Sequence, residues 1–422
     1  AWIISQEKFM HATQNWLNYA KLRISYGALG NQDVSYYEYI ASMGSSEQQL
    51  LINGIKPMGV TPSGLVSNSL TWEKVYTKNI GLDLNFFNNR LTFSGDIYRR
   101  DTKDMLTKGK TLPSVLGALE PRINAADMKT EGWEISLGWR DLFNLGNKPF
   151  SYNVKFILSD NRSFITRFDN PTGNLDDWYE GCEIGEIWGL VTEGFFKDQA
   201  DIDNHADQWD VTSYPGDRPI EPGDLKYKDL DNNGKINNGS WTVNDPGDYK
   251  VIGNNASRYN YGADFTAEWN GLDFRVLLQG VGKRDLWIMN DLFYPHYDAW
   301  TTVYDTQLNY WTPERTDSYF PRLYEKAAGN TAANTRIQTR YLQDGSYLSI
   351  RNITLSYNFP SKWMTKIGVN NLAVFFSGEN LYTFDHWPKG LDPERSVTDD
   401  LGQRGFTYPY MRQYSFGINL SF

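Results

Sequence analysis

One stretch of the chain has the oxygen-bearing residues, at the spacing, that a divalent cation requires. Positions 229–234 read D-L-D-N-N-G, an order in which side-chain oxygens at loop positions one, three and five converge because the glycine permits a sharp turn. Position seven would contribute a backbone carbonyl, and position nine is an asparagine. The candidate ligands of Ca²⁺ or Mg²⁺ are therefore Asp229, Asp231, Asn233, Lys235 and Asn237.

Position twelve of this loop departs from the calcium-binding pattern. It is Ser240 instead of the usual bidentate Glu, so Asp245 or Asp248 would have to replace that ligand through the following turn. The alternative is an Asx-rich turn that binds nothing. A cation held here would rigidify the segment and would take no part in catalysis.

The other polar residues form no catalytic constellation. None of the four histidines has a second histidine at metal-binding spacing, and no P-loop or nucleophile elbow occurs in a suitable context. The acidic pairs Asp176-Asp177 and Asp399-Asp400 point apart in an extended chain. A single cysteine, Cys182, excludes an intramolecular disulfide. We therefore expect that the protein is not an enzyme.

Aromatic residues are unusually frequent, with 15 Trp, 27 Tyr and 22 Phe. Aromatic rings stack on sugar faces and anchor protein interfaces, although they also pack loops against each other. We expect a minority of the aromatic residues in predicted loops to contact a ligand or partner. The candidates are Trp178, Tyr179, Trp209, Trp241, Trp287, Trp300, Trp311 and Trp387.

The elements that would position these residues are β-strands with one apolar and one polar face. In residues 413–422, QYSFGINLSF, apolar and polar or small residues alternate with period two. A slip of this phase between Ile350 and Ile353 predicts a β-bulge. The alternation predicts ten strands, at 15–28, 72–86, 91–102, 128–140, 149–160, 256–269, 272–283, 341–358, 370–382 and 410–422.

Short and long connections alternate between these strands. The pair Asn270-Gly271 is typical of a type I′ hairpin, Asn88-Asn89 joins another pair, and 141–148 and 360–369 are predicted as somewhat longer turns. This organisation is typical of a barrel in a bilayer. Residues 184–196 also read as a strand, but they are assigned to a long connection so that the strand count stays even. The long connections are 29–71, 103–127, 161–255, 284–340 and 383–409.

Composition and patterning limit the function classes. A formal charge of −10 and a pI near 5.1 exclude the basic face of a nucleic-acid binder, and no apolar run is long enough for a transmembrane helix. Strands in lipid must close into a barrel, with the polar face turned to a lumen. A soluble, secreted, aromatic-rich carbohydrate-binding or hydrolytic β-protein remains the alternative. The predicted lumen residues are Asp83, Asn85, Glu134, Arg140, Asp264, Glu268 and Asp273.

Several segments resemble one protein family. Residues 21–32, KLRISYGALGNQ, and residues 223–236, GDLKYKDLDNNGKI, are similar to motifs of the SusC/RagA-type TonB-dependent outer-membrane transporters of the Bacteroidetes. Residues 251–253 followed by 261–262, then 378–384 and the terminal 414–422, fit further motifs in the family's order. The resemblance covers almost the whole chain.

The resemblance implies an all-β fold: the C-terminal portion, about ten antiparallel strands, of a plugged barrel of about 22 strands. It implies TonB-dependent import of a large nutrient, an oligosaccharide or a peptide, across the outer membrane together with a SusD-like lid lipoprotein. Connections 161–255 and 284–340 would be extracellular loops, and the C-terminus would be periplasmic. The family's plug, its TonB-contacting segment and its first strands have no counterpart here, so we expect an N-terminal remainder of the barrel to complete it.

Overall fold

The computed structural model describes residues 1–31, 40–61, 64–67, 70–109, 115, 120–212, 219–288, 293–294, 302–324, 334–395, 408 and 410–421. Helices are few and short in this part of the chain, and none is long and apolar enough to cross a membrane. The α-helices are α1 (Gln199–Asp203), α2 (Trp209–Thr212) and α3 (Ser361–Met364). The 3₁₀ helices are Ile4–Gln6, Lys8–Thr13, Asp305–Gln307 and Thr365–Ile367.

Ten long strands form one antiparallel sheet, in the order in which they follow along the chain. All ten predicted strands are present, so this part of the prediction is confirmed. The first and the last of the ten strands are the two edges of the sheet. The ten are β1 (Leu17–Asn31), β4 (Glu73–Phe86), β5 (Leu91–Lys108), β6 (Arg122–Leu145), β7 (Lys148–Arg167), β12 (Arg258–Trp269), β13 (Leu272–Lys283), β16 (Tyr347–Asn358), β17 (Asn371–Asp385) and β18 (Gln413–Ser421).

In the described parts of the long connections, eight short strands pair in twos. The predicted assignment of 184–196 to a long connection is confirmed, because both strands of that stretch pair outside the ten-stranded sheet. The pairs are β2–β3, β8–β11, β9–β10 and β14–β15. Their bounds are β2 (Gly44–Glu47), β3 (Met58–Thr61), β8 (Glu186–Gly189), β9 (Thr192–Phe195), β10 (Leu225–Tyr227), β11 (Lys250–Asn254), β14 (Asp285–Trp287) and β15 (Leu342–Asp344).

The tight turns join strands at one end of the sheet. Asn270 and Gly271 have φ angles of 50° and 87°, the left-handed conformation that a type I′ turn needs. Gly146 and Asn147 form a second such turn, with φ of 60° and 62°. The connection predicted at 141–148 is therefore only two residues long, because β6 and β7 pair up to Leu145 and Lys148.

Several strands continue beyond their predicted ends at the side of the long connections. The strand β5 reaches Lys108, β6 starts at Arg122 and β7 reaches Arg167, so the connections are 109–121 and 168–257 instead of 103–127 and 161–255. The strand of the ten-stranded sheet that was predicted to start at 341 starts at Tyr347. The residues before it form β15, which pairs with β14 outside that sheet. Where water contacts both faces of a strand, burial no longer imposes a period of two, so the sequence signal ends before the hydrogen bonds do.

The apolar face of the sheet is open to its surroundings. Phe416 and Ile418 are 81% and 70% exposed, and Ile24, Ile80 and Ile97 form an exposed row across three neighbouring strands. Such an extended apolar surface is unfavourable in water. It is the arrangement expected of a wall that hydrocarbon contacts on one side.

The polar face carries ion pairs between strands. Arg23 donates to Asp83 Oδ2 at 2.8 Å and to Asp96 Oδ2 at 2.7 Å. Gly81 lies directly opposite Arg23 and leaves room for this group, since a Cβ at this position would lie 2.6 Å from Arg23 Cζ and closer still to Asp96. Elsewhere on this face Arg275 donates to Asp264 Oδ2 at 2.7 Å.

Among the described residues, the apolar core lies in the long connections and not in the sheet. We call the described residues of 168–257, 284–346 and 386–395 the loop body. Its buried side chains pack aromatic rings edge to face, as Phe293 does with Tyr294 and Tyr341 at 4.9 and 5.9 Å between centroids. The core comprises Leu190, Val211, Leu225, Tyr227, Ile236, Leu286, Ile288, Phe293, Tyr294, Phe320, Tyr341 and Trp387.

Candidate functional site

The D-x-D-x-N-G stretch follows β10 and folds as a series of Asx turns. Asp229 accepts hydrogen bonds from the backbone N–H groups of Asn232 and Gly234, at 2.7 and 2.9 Å. Asp231 accepts one from Asn233 N at 3.0 Å. Gly234 has φ of +81°, which supplies the sharp turn that the sequence predicted. The carboxylates of Asp229 and Asp231 are thereby held at the turn.

A third carboxylate comes from Asp248, which is fully buried. Its Oδ1 accepts from Leu230 N at 2.6 Å and its Oδ2 accepts from Asn237 N at 2.9 Å. Oxygens of Asp229, Asp231 and Asp248 lie within 4.8 Å of one another. These three groups could share one cation.

The other predicted ligands and Asp245 have different roles in this structure. The Asn233 and Asn237 side-chain oxygens accept from Lys235 N at 2.8 Å and from Gly239 N at 2.7 Å. Asp245, the alternative to Asp248, accepts from Ser240 N at 2.9 Å, so it closes its own turn. Of the two acidic residues predicted as replacements for the missing position-twelve Glu, the fold brings Asp248 to Asp229 and Asp231.

The backbone approaches itself closely at two glycines, Gly239 and Gly247, and this contact brings Asp248 back to the loop that contains Asp229 and Asp231. Gly239 and Gly247 both have positive φ, 52° and 58°. A Cβ on Gly239 would lie 2.7 Å from Gly247 N, and one on Gly247 would lie 2.5 Å from Gly239 N. Only residues without a side chain can approach this closely. The two glycines are the sequence signal that could have selected Asp248 over Asp245. The spacing of the motif, on which the prediction was based, does not include them.

Electrostatics make this site favourable for a cation. Burial raises the pKa of Asp248, and the negative charges of Asp231 and Asp229 raise it further. Burial acts the same way on Asp229, but hydrogen bonds from the Gly234 and Asn232 amides outweigh it and hold the pKa of Asp229 below its usual value. The surrounding connection, 168–257, has 19 acidic and 6 basic residues. A hard divalent cation would neutralise this charge through oxygen ligands.

Three of the predicted contact aromatics pack within the loop body. Trp311 and Trp387 are buried, and Trp311 lies against Gly223, where a Cβ would be 2.5 Å from the ring. Trp287 in β14 packs on Tyr294 at 6.2 Å between centroids. The indole N–H groups of these three tryptophans have no hydrogen-bond partner among the described residues. They offer little ring surface to a ligand.

Two further candidates are held by internal hydrogen bonds. Trp241 Nε1 donates to Asp176 Oδ1 at 2.7 Å, and its ring meets Tyr249 edge to face at 5.0 Å. The Tyr179 hydroxyl donates to Glu186 Oε2 at 2.5 Å. Burial and the negative charge of Glu186 raise the pKa of Tyr179. Both rings therefore stabilise the connection that carries the acidic loop.

The remaining candidates lie nearer to the surface. Trp209, at the start of α2, is 48% exposed. Trp178 lines an open cleft of about 530 Å³ together with Phe168, whose ring centroid is 5.8 Å away. Lys108 and Asp177 form an ion pair at the rim of this cleft. Trp300 lies outside the described residues. Of the described candidates, Trp178 and Trp209 are the best placed to contact a ligand.

Comparisons with known proteins give one consistent result. No family model matches the chain. The chain is 28% identical over 448 residues to "TonB-dependent receptor P3" of Formosa agariphila, an alignment that covers all of this chain and 41% of that protein. It is 24% identical over 426 residues to "TonB-dependent receptor SusC" of Bacteroides thetaiotaomicron, again over all of this chain and 39% of the receptor. The chain thus spans about two fifths of the length of these relatives.

Solved structures have the same fold. The RagAB peptide transporter superposes with a TM-score of 0.72 at 23% identity, over all of this chain and 42% of that chain. The RagAB peptide importer in its closed-closed state gives 0.71 at 21% identity, with the same coverage. The fold class predicted from the sequence is confirmed: the chain is similar in sequence to TonB-dependent receptors, including SusC, and similar in fold to the RagAB transporter, and its ten-stranded sheet fits the C-terminal portion of such a barrel.

Proposed function

We propose that this protein takes part in TonB-dependent import of a large nutrient, an oligosaccharide or a peptide, across the bacterial outer membrane. The observation that carries the proposal is the sheet itself, whose apolar face is exposed and whose short and long connections alternate. In such a barrel the short turns and the C-terminus lie in the periplasm and the long connections lie outside. TonB would act through a plug, and an N-terminal remainder of the barrel would pair with the sheet edges. The relatives named above are receptors and transporters, which favours a protein that is not an enzyme.

Two measurements test this function. Extraction of the protein from cell envelopes should require detergent, and uptake of labelled oligosaccharides or peptides should be lost in cells without TonB. A protein that leaves the envelope in salt buffer would support the alternative, a secreted β-protein that binds or hydrolyses carbohydrate. Uptake that persists without TonB would support a passive porin.

A SusD-like lid lipoprotein is the partner that we propose at the long-connection side. Residues 40–61, which we call the apolar hairpin, contain β2 and β3, and these strands pair only with each other in the described part of the chain. Glu47 and Lys56 are the only charged residues in this segment. Its large apolar side chains that are more than half exposed are Ile40, Met43, Leu50, Leu51, Ile52, Ile55, Met58 and Val60.

The size and composition of the apolar hairpin are those of an interface core. Its eight exposed apolar side chains offer an area on the order of the 800 Å² that each partner buries in a standard interface. The centre of an interface is depleted of charged residues and enriched in Met, and a two-stranded hairpin alone is only marginally stable in water. A covering protein would therefore stabilise it.

Substitutions in the apolar hairpin test this partner. Replacing Ile55 and Met58 together by Asp should abolish co-purification of a SusD-like lipoprotein from detergent extracts, because two charges would be buried at the interface centre. Val243→Asp, an exposed apolar position of the loop body, is the matched control and should retain the partner. Equal recovery of the lipoprotein with the unmodified protein, the double variant and Val243→Asp would contradict the proposal that the apolar hairpin binds this partner.

Ca²⁺ or Mg²⁺ is the cofactor that we propose for Asp229, Asp231 and Asp248. The proximity of the three carboxylates and the raised pKa of Asp248 support it. Calorimetric titration of EDTA-treated protein with CaCl₂ and MgCl₂ should show one binding event, which Asp248→Asn removes and Asp245→Asn retains. Absence of binding to the unmodified protein would favour an Asx-rich turn without a cation.

A further inference from the structure

Arg351 is the residue that the predicted β-bulge inserts into β16. Its neighbours Ile350 and Asn352 pair with consecutive residues of β13, so Arg351 itself has no partner on that strand. On the other side, two residues of β17, Asn380 and Leu381, lie opposite Arg351. Asn380 has φ of 49°, a left-handed conformation that asparagine tolerates better than most residues. The bulge changes the direction of the arginine side chain.

The guanidinium of Arg351 contacts both neighbouring strands and the last long connection. Its Nε donates to Gln279 Oε1 of β13 and its Nη1 donates to Asn380 Oδ1 of β17, both at 3.2 Å. Its Nη2 forms an ion pair with Glu394, and its Cζ lies 5.2 Å from the Tyr410 ring centroid. The side chains of Arg351 and Glu394 are only 14% and 27% exposed. This degree of burial strengthens the ion pair relative to one in water.

Two described parts of the last long connection, residues 386–395 and Tyr410, are linked to each other by hydrogen bonds. Asp392 Oδ1 accepts from Glu394 N at 2.9 Å and Asp392 Oδ2 accepts from Tyr410 N at 3.3 Å. Asn380 Nδ2 donates to Met411 O at 3.4 Å. Glu394 and Tyr410 are therefore fixed to each other through Asp392 and to the sheet through Arg351 and Asn380.

The contact lies on the polar face of the sheet. Gln279, which Arg351 contacts, pairs with Ser349 and alternates along β13 with the outward apolar residue Leu278. A cavity of about 210 Å³ remains between strands and connection, and its lining is mostly polar. Residues 392–394 and Tyr410 thus lie over the side of the sheet that, in a closed barrel, would face the lumen.

We propose that Arg351 is a positioning residue that holds residues 386–395 and Tyr410 of the last long connection against the lumen side of the wall and so sets the width of the passage there. The effect on the width of the passage rests on the proposed import function, whereas the contact with the sheet does not. The clamp itself depends on the bulge, on the four contacts of the guanidinium and on their burial. Without the guanidinium, Glu394 and Tyr410 lose their link to β16, so residues 386–395 are held less firmly against the sheet.

Hydrogen exchange of the full-length protein in detergent tests the clamp. In Arg351→Gln and Glu394→Gln, amides of 386–395 should exchange about tenfold faster or more, because a charge-assisted hydrogen bond shifts a local opening equilibrium by about that factor. Arg275→Gln is the matched control, since it breaks an arginine–carboxylate pair on the same face that lies between two strands. The charge-reversed pair Arg351→Glu with Glu394→Arg should restore part of the protection. Unchanged exchange in both single variants would overturn the clamp.

Uptake kinetics test whether Arg351 sets the width of the passage. With a fluorescent peptide pool and fluorescent maltoheptaose as probes, Arg351→Gln and Glu394→Gln should shift the KM of uptake about threefold or more while Vmax is retained. Arg275→Gln should leave KM unchanged. Faster exchange with unchanged KM would refute the role in the passage, whereas absence of uptake by the unmodified protein would refute the import function and leave the exchange result to decide on the clamp.

Discussion

Replacing Leu137 by Lys measures directly whether hydrocarbon contacts the apolar face. Leu137 lies in the central strand β6, is 39% exposed and pairs with Phe93 and Phe156. It is eight residues from the end of β6 at Leu145, about 26 Å along the strand, or about 19 Å in height at a tilt near 45°. That height is close to the middle of a hydrocarbon core of about 30 Å, beyond easy reach of the interface for a lysine ammonium.

The expected cost at this depth is large. A lysine on the lipid face near the bilayer midplane destabilises a barrel by about 2–4 kcal/mol, whereas a surface substitution in water stays within about 0.5 kcal/mol. Ser136, the preceding residue, lies on the polar face, so Ser136→Lys is the matched control and should be nearly neutral. The assay is reversible denaturant unfolding of the protein in lipid vesicles. A difference below about 1 kcal/mol between the two variants would refute the lipid-facing assignment.

Three further predictions follow from the polar face, the cysteine and the acidic loop. Gly81→Ala should lower the free energy of unfolding by about 1–3 kcal/mol in a denaturant titration, since a Cβ would displace Arg23 from Asp96; an unchanged midpoint would contradict this. Burial raises the pKa of Cys182 to about 11, so maleimide labelling near pH 8 should be about a hundredfold slower in the folded protein than in the unfolded one, and equal rates would contradict it. Because the folded pKa of Asp248 is raised above 3.8, its stabilising contribution is complete below that value and is lost as pH rises through the raised pKa. In EDTA, the Tm of the unmodified protein relative to that of Asp248→Asn should therefore fall as pH rises, and Ca²⁺ should abolish this pH dependence. A Tm difference that does not change with pH would contradict the prediction.

The sheet was predictable because its two faces contact different media. The alternation that includes Phe416 and Ile418 marks the apolar face directly, and the phase slip near Ile350 corresponds to the bulge at Arg351. The strand ends were less predictable, because beyond the apolar band both faces are wet and the alternation fades. Local turn chemistry identified Asn270-Gly271, but the extent of the Gly146 turn depended on strand pairing.

The candidate site was predictable only where its residues are close in sequence. The motif identifies Asp229 and Asp231, whose turn depends on residues within five positions. Asp248 joins them through a return of the chain that local spacing does not encode. Likewise, composition cannot separate the buried Trp311 from the exposed Trp209, because burial in the loop body depends on contacts between connections far apart in sequence.

The long strands β5, β6 and β7 have a mechanical consequence. About 9–11 residues of a tilted strand cross a bilayer, whereas β6 has 24 residues and β7 has 20. If the sheet spans the outer membrane as proposed, with Leu137 near the midplane, about ten residues at the Arg122 end of β6 stand above the lipid as a hydrogen-bonded pedestal under the loop body. Such a pedestal cannot bend without breaking several hydrogen bonds between its strands, so the loop body should keep a fixed height over the cell surface.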